Sequence, residues 1–142
     1  MIPIQVLIDR LKSQLSYDIQ PSREIQPIPL NVSDPTVIYV GYHSMTSKNP
    51  NAPIDLMLFN AHGEDIEQLF DIHIDTTIEN LPTVWRAIYT AITDYTPIGL
   101  ISSQASVSGF CYTQSGLVGL TNGRIVWLDR WRIGFPSATP LV

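Results

Sequence analysis

Asn122-Gly123 stands between two strand-like runs, Gly116 to Thr121 and Arg124 to Phe135. This dipeptide suits a two-residue type I′ hairpin, in which both central positions need positive φ. An antiparallel strand pair is therefore expected here, and the rest of the fold has to extend a sheet from it. Asp65 to Thr76 carries the two-residue period of a strand, with Phe70, Ile72 and Ile74 on one face and Asp71, His73 and Asp75 on the other. Thr36 to Tyr42 is rich in β-branched and aromatic residues and reads as another strand. Ile54 to Asn60 reads as the strand returning from it, with a turn or bulge at Ala61-His62-Gly63.

Two segments carry helical periodicity instead. From Pro3 to Leu15, the residues Ile4, Leu7, Ile8, Leu11 and Leu15 share one face, and Asp9, Arg10, Lys12 and Gln14 fall on the solvated side. In the second, Leu81, Val84, Trp85, Ile88, Ala91 and Ile92 share a face, Asn80 is placed to cap, and Pro82 sits where helix starts accept proline. Pro21, Pro27, Pro29 and Pro35 exclude a helix between the first helix and the Thr36 strand, leaving an extended connector with room for a short edge strand. Residues 44–53 form a polar, proline-containing loop that projects, 97–108 a Ser/Gly-rich linker, and 137–142 a tail ordered only by a partner. The expected architecture is one α+β domain spanning 1–142, an antiparallel or mixed sheet with both helices on one face and a C-terminal β-hairpin.

Composition narrows the function. With 142 residues the chain has the usual size of one domain, and 44% hydrophobic against 15% charged residues leaves a thin polar coat, as in surfaces that partners cover. Residues 61–95 carry seven acids and one base, whereas 96–142 carry one acid and three bases. Without a Lys/Arg cluster, a chain of net charge -5 is poorly built to grip nucleic acid, where phosphate neutralisation supplies much of the affinity. The single Cys111 has no internal disulfide partner, no apolar run reaches a membrane span, and Met1-Ile2-Pro3 leads into the first helix without a signal-peptide pattern. Folding in a reducing cytoplasm is the expectation.

Chemistry is sparsely encoded. No phosphate-loop or dinucleotide fingerprint occurs, and Cys111 lies beside Phe110 and Tyr112 with no nearby histidine, as a plain thiol would. The best constellation is Asp71-x-His73-x-Asp75, one strand face of carboxylate and imidazole that suits a divalent metal or acid–base work. A solvated outer face satisfies the same pattern, because burial of Phe70, Ile72 and Ile74 requires one. Hence no catalytic, cofactor or metal-ligating residue is assigned. His43 and His62 stand at strand ends as surface residues. Arg130, Trp131 and Arg132 in the last strand fit either a central strand packed by helices or an oligomer interface, where Trp and Arg are favoured anchors.

The order of elements, with the helix LPTVWRAIYTAI and the closing strand WLDRWRIGF, resembles the phage tail terminator family over nearly the whole chain. The resemblance implies a virion protein of the tail and neck, assembled in the host cytoplasm: a subunit of a closed homo-oligomeric ring, usually a hexamer. Such a ring caps the tail tube, halts its polymerisation and joins it to the head connector, with DNA passing through without sequence recognition. Partners would be copies of itself, tail-tube and sheath proteins and the connector, with no membrane and no cofactor. On that reading Asp71, His73 and Asp75 line the pore. Lys48 and Asn49 in the projecting loop, with Arg130, Trp131 and Arg132, form subunit or partner contacts, and acidic and basic regions meet head to tail. The alternatives are another neck adaptor, a small metal-dependent enzyme built on Asp71, His73 and Asp75, and a monomeric binding module.

Overall fold

The computed structural model describes residues 2–22, 27–47, 66–97 and 109–135. Within them run α1 (Ile4–Gln14), β1 (Asp18–Pro21), β2 (Val37–Ser47), β3 (Ile66–Thr77), α2 (Leu81–Ile92), β4 (Cys111–Thr121) and β5 (Arg124–Phe135). The five strands make one mixed sheet in the order β1-β2-β3-β5-β4; only the β1–β2 pair is parallel. The fold is α+β, and β4 and β5 form the C-terminal hairpin. Its turn has Asn122 at φ 47° and Gly123 at φ 84°, the backbone that this dipeptide accepts at least cost.

Both helices lie on one face, called here the front. Leu7, Ile8 and Leu11 of α1 and Val84, Ile88, Ala91 and Ile92 of α2 share a core with Ile38, Val40, Phe70, Ile72, Ile74, Trp131 and Ile133 of the sheet. Each fully buried side chain of this size contributes about 1.5–3 kcal/mol. Gln68, itself buried, closes the first end of this core: its Oε1 accepts from the Ile2 amide at 2.9 Å and its Nε2 donates to the Ile2 carbonyl at 2.7 Å. At the other end Arg10 donates to the Ala91 carbonyl at 2.9 Å and lies 4.6 Å from the Tyr95 ring centroid, so it ties α1 to the end of α2 where a solvated position was expected. Asn80 precedes α2 as expected, yet its side chain makes no capping hydrogen bond.

The back of the sheet departs from expectation. A half-buried strand should expose Asp71, His73 and Asp75, but residues 29–35 of the proline-rich connector cross this face as a strap. Leu30 N–H donates to Asp75 Oδ2 at 3.3 Å, and Pro29 packs against the Gly119 backbone. Arg124 Nη1 and Nη2 donate to the carbonyls of Asp34 and Pro35 at 2.6 and 2.7 Å. Prolines that cannot enter the sheet fit such a crossing, because their missing N–H groups cost nothing there. β2 continues to Ser47, so residues 44–47 of the expected loop are strand. The remainder of that loop with Lys48 and Asn49, the expected strand at 54–60, the turn at 61–63 with His62, the linker at 98–108 and the tail at 137–142 lie outside the described residues.

Candidate interaction surface

The described polar groups singled out in the sequence, His73 apart, are held in internal pairs. Asp75 is 0% exposed and Arg124 1%, with Arg124 Nε 2.7 Å from Asp75 Oδ1. A carboxylate so enclosed cannot present its charge to a pore, which removes Asp75 from the expected acidic lining. His73 is also buried, and its Nδ1 has no hydrogen-bond partner. Burial holds its pKa below the usual 6.5, with the Asp71 carboxylate pulling the other way. Asp71 keeps some exposure, but Arg130 Nε donates to its Oδ1 at 2.8 Å and His43 Nδ1 lies 3.3 Å from its Oδ2. The two residues His43 and Asp71 converge across β2 and β3, a meeting that the spacing of the histidines did not reveal.

The expected interface on β5 is likewise redistributed. Trp131 is 0% exposed and packs with Tyr89 and Tyr112, so it belongs to the front core and anchors no partner. Arg130 pairs with Asp71, and Arg132 Nη1 donates to Glu67 Oε1 at 2.6 Å. Asp71 stands opposite Arg130, and Glu67 lies two residues diagonal to Arg132, which is opposite Leu69, so both ion pairs follow from the β3–β5 register. Cys111 is half-buried, with Sγ 3.5 Å from the Gly109 carbonyl.

Sequence reading missed Asp129. It faces the front, is 0% exposed, and takes hydrogen bonds on Oδ1 from Ser115 Oγ at 2.5 Å and Trp127 Nε1 at 3.1 Å. Ser115 is bonded in turn to the Tyr112 hydroxyl. Burial pushes the Asp129 carboxyl above its usual range, and the Ser115 hydroxyl followed by the Trp85 and Trp127 indoles draws it back in part. Oδ2 has no hydrogen-bond partner. An alternation that puts one acid among tryptophans was the available signal: Asp129 is flanked at i±2 by Trp127 and Trp131.

Among the described residues, no cluster of three or more His, Cys, Asp or Glu is placed to hold a metal. An open groove of about 430 Å³ runs between Gln14 and Leu15 of α1 and Pro82, Arg86 and Thr90 of α2. No described helix is long and apolar enough to cross a membrane.

What the described surface does display is apolar. The helices rest over β1, β2 and β3, so the front of β4 is left open, with Leu117 57% and Leu120 56% exposed. Tyr112 and Tyr89 extend that patch toward α2, with ring centroids 6.4 Å apart. Ile78 joins at the turn, where its N–H donates to the Gly123 carbonyl at 3.0 Å. From the back, the strap adds exposed Ile28, beside the Pro29 that touches Gly119, and Val32, which lies against Gly123. Apolar residues thus wrap the β4 edge from both faces. Contiguous apolar surface of large extent is uncommon on monomers, and among the described residues the exposed apolar side chains gather here. No family model matches the chain, and no characterised protein matches it.

Proposed function

We propose that the chain is a structural subunit of a closed homo-oligomeric ring of the tail-terminator kind, capping a phage tail tube and joining it to the head connector while DNA passes through. The observation that supports this reading is the gathering of exposed apolar side chains around the uncharged β4 edge. Asp75, Asp71 and Glu67 are paired within the fold with Arg124, Arg130 and Arg132, so the reading rests on apolar surface and not on these charges. Asp71 is the one member of the sequence-derived acidic set with enough exposure to face a channel, where its charge would keep phosphates from sticking.

Light scattering on the purified protein, with negative-stain imaging of the same sample, tests the proposal. Rings of about six copies with a central hole are expected, the closed product of a head-to-tail contact. A protein that stays monomeric at all concentrations, and also in the presence of tail tubes, refutes it. Asp71→Ala should leave rings intact while altering DNA retention.

A further inference from the structure

Resting on the ring reading, we infer that neighbouring copies join by continuing one sheet into the next, the β4 edge of one copy pairing with the free half of β2 in its neighbour. Two open edges lie at opposite ends of the sheet. At one end β4 has no further strand beyond it among the described residues. At the other, β1 pairs only with Val37 to Val40, and the Ser22 N–H closes on the Val40 carbonyl, so the outer side of Gly41 to Ser47 has no strand among the described residues.

Natural edge strands are blunted by charge, by proline or by bulges. Residues 109–123 contain no Asp, Glu, Lys, Arg or Pro, and neither do Gly41 to Ser47, where His43 is the one basic side chain. Two bulges in β4, at Tyr112/Gln114 and Leu117/Gly119, leave Gln114 to Leu117 in unbroken register, and one in β2, at Tyr42/Ser44, leaves Ser44 to Ser47 in unbroken register. Charge therefore opposes pairing at neither edge. The placement of the exposed large apolar residues agrees: among the described residues all but one surround β4, and the remaining one, Tyr42 at 47% exposure, stands on the open half of β2.

A contact of β4 with itself about a two-fold axis would leave Tyr42 and the β2 edge unused and would end at a dimer. A β4-to-β2 contact uses both edges, is the same at every junction, and closes when the rotation per copy divides the circle. The occupant of each edge is thus a second copy of this chain, with backbone hydrogen bonds supplying affinity and Leu117, Leu120 and Tyr42 the side-chain seal.

Complementation between two variants tests the pairing. Leu117→Glu with Leu120→Glu breaks the β4 edge, and Tyr42→Glu breaks the β2 edge. Each should weaken association at least about 100-fold, because a carboxylate is buried without a partner. Mixed in equal amounts, the two retain one intact junction and should give a one-to-one pair of twice the chain mass, seen by light scattering. Recovery of that pair also shows that both variants are folded; Ser44→Lys replaces Tyr42→Glu where circular dichroism shows the latter unfolded. Rings from the wild type that persist in both variants overturn the edge pairing and leave the ring reading standing. Loss of association in the β4 variant alone shows a two-fold β4 contact and overturns the inference. A wild type without any association overturns both.

Discussion

Arg124→Met removes the cation that pins the strap and leaves a side chain of similar length. Four hydrogen bonds disappear: to Asp75 Oδ1 and the Asp75 carbonyl, at 2.7 and 3.0 Å, and to the carbonyls of Asp34 and Pro35, at 2.6 and 2.7 Å. Asp75 stays fully buried with the Leu30 N–H at 3.3 Å as its remaining hydrogen bond. Breaking a buried pair on one side costs about 3–5 kcal/mol, because a charge is left without compensation. At about 3–4 °C per kcal/mol for a domain of this size, that corresponds to a fall in Tm of about 10–20 °C. Urea denaturation at neutral pH gives the free energy directly. The orphaned charge is the main cost, so Arg124→Met with Asp75→Leu should cost less than Arg124→Met alone. Hydrogen exchange of the Leu30 amide should accelerate in the single variant before global unfolding. A loss under about 1 kcal/mol, or a double variant as unstable as the single one, refutes the assignment of this pair as the anchor of the strap.

Gly123→Ala places a side chain at φ 84° in the β4–β5 turn and should cost about 1–2 kcal/mol by chemical denaturation. Gln68→Ala leaves the buried Ile2 amide and carbonyl unpaired and should cost about 1–3 kcal/mol, with the N-terminal residues becoming susceptible to proteolysis. His73 has a lowered pKa, so the unfolded chain binds its proton first as pH falls below 6.5; stability should drop there, and His73→Gln should flatten that slope. Asp129 has a raised pKa, and the sign reverses: the native state binds its proton first, so stability from this group should rise as pH falls through its folded value toward 3.8. Asp129→Asn should accordingly stabilise the fold at neutral pH, with the gain shrinking in acid, as read from urea midpoints across pH.

Local chemistry made much of the fold legible. Both helices, β3 and the hairpin follow from periodicity and from the Asn122-Gly123 pair, and each ends within a few residues of its expected bounds. The short edge strand was allowed for, and β1 occupies it. What periodicity could not give was the identity of the covering layer. Phe70, Ile72 and Ile74 read as buried and are, but the opposite face of β3 read as solvated only because the strap was unplaced. That placement depends on Asp75 and Arg124, 49 residues apart in sequence.

The same ambiguity decided the fate of the candidate interface. Alternation in β5 divides Trp127, Asp129 and Trp131 from Leu128, Arg130 and Arg132 without saying which group meets the helices. The register with β3 settles it: Phe70 lies opposite Trp131 and Asp71 opposite Arg130, so the tryptophan goes to the core and the arginines to ion pairs. Trp131 is thereby buried and both arginines are paired, Arg132 with 43% of its side chain still exposed, while exposed apolar side chains gather at β4. Only Gly116 to Thr121 of β4 was legible beside the Asn122-Gly123 turn; the strand begins at Cys111 and carries no charge. The same lack of charge leaves its edge open to another strand. β4, legible through the Asn122-Gly123 turn, is thus also the strand around which the exposed apolar side chains of the proposed copy-to-copy contact gather.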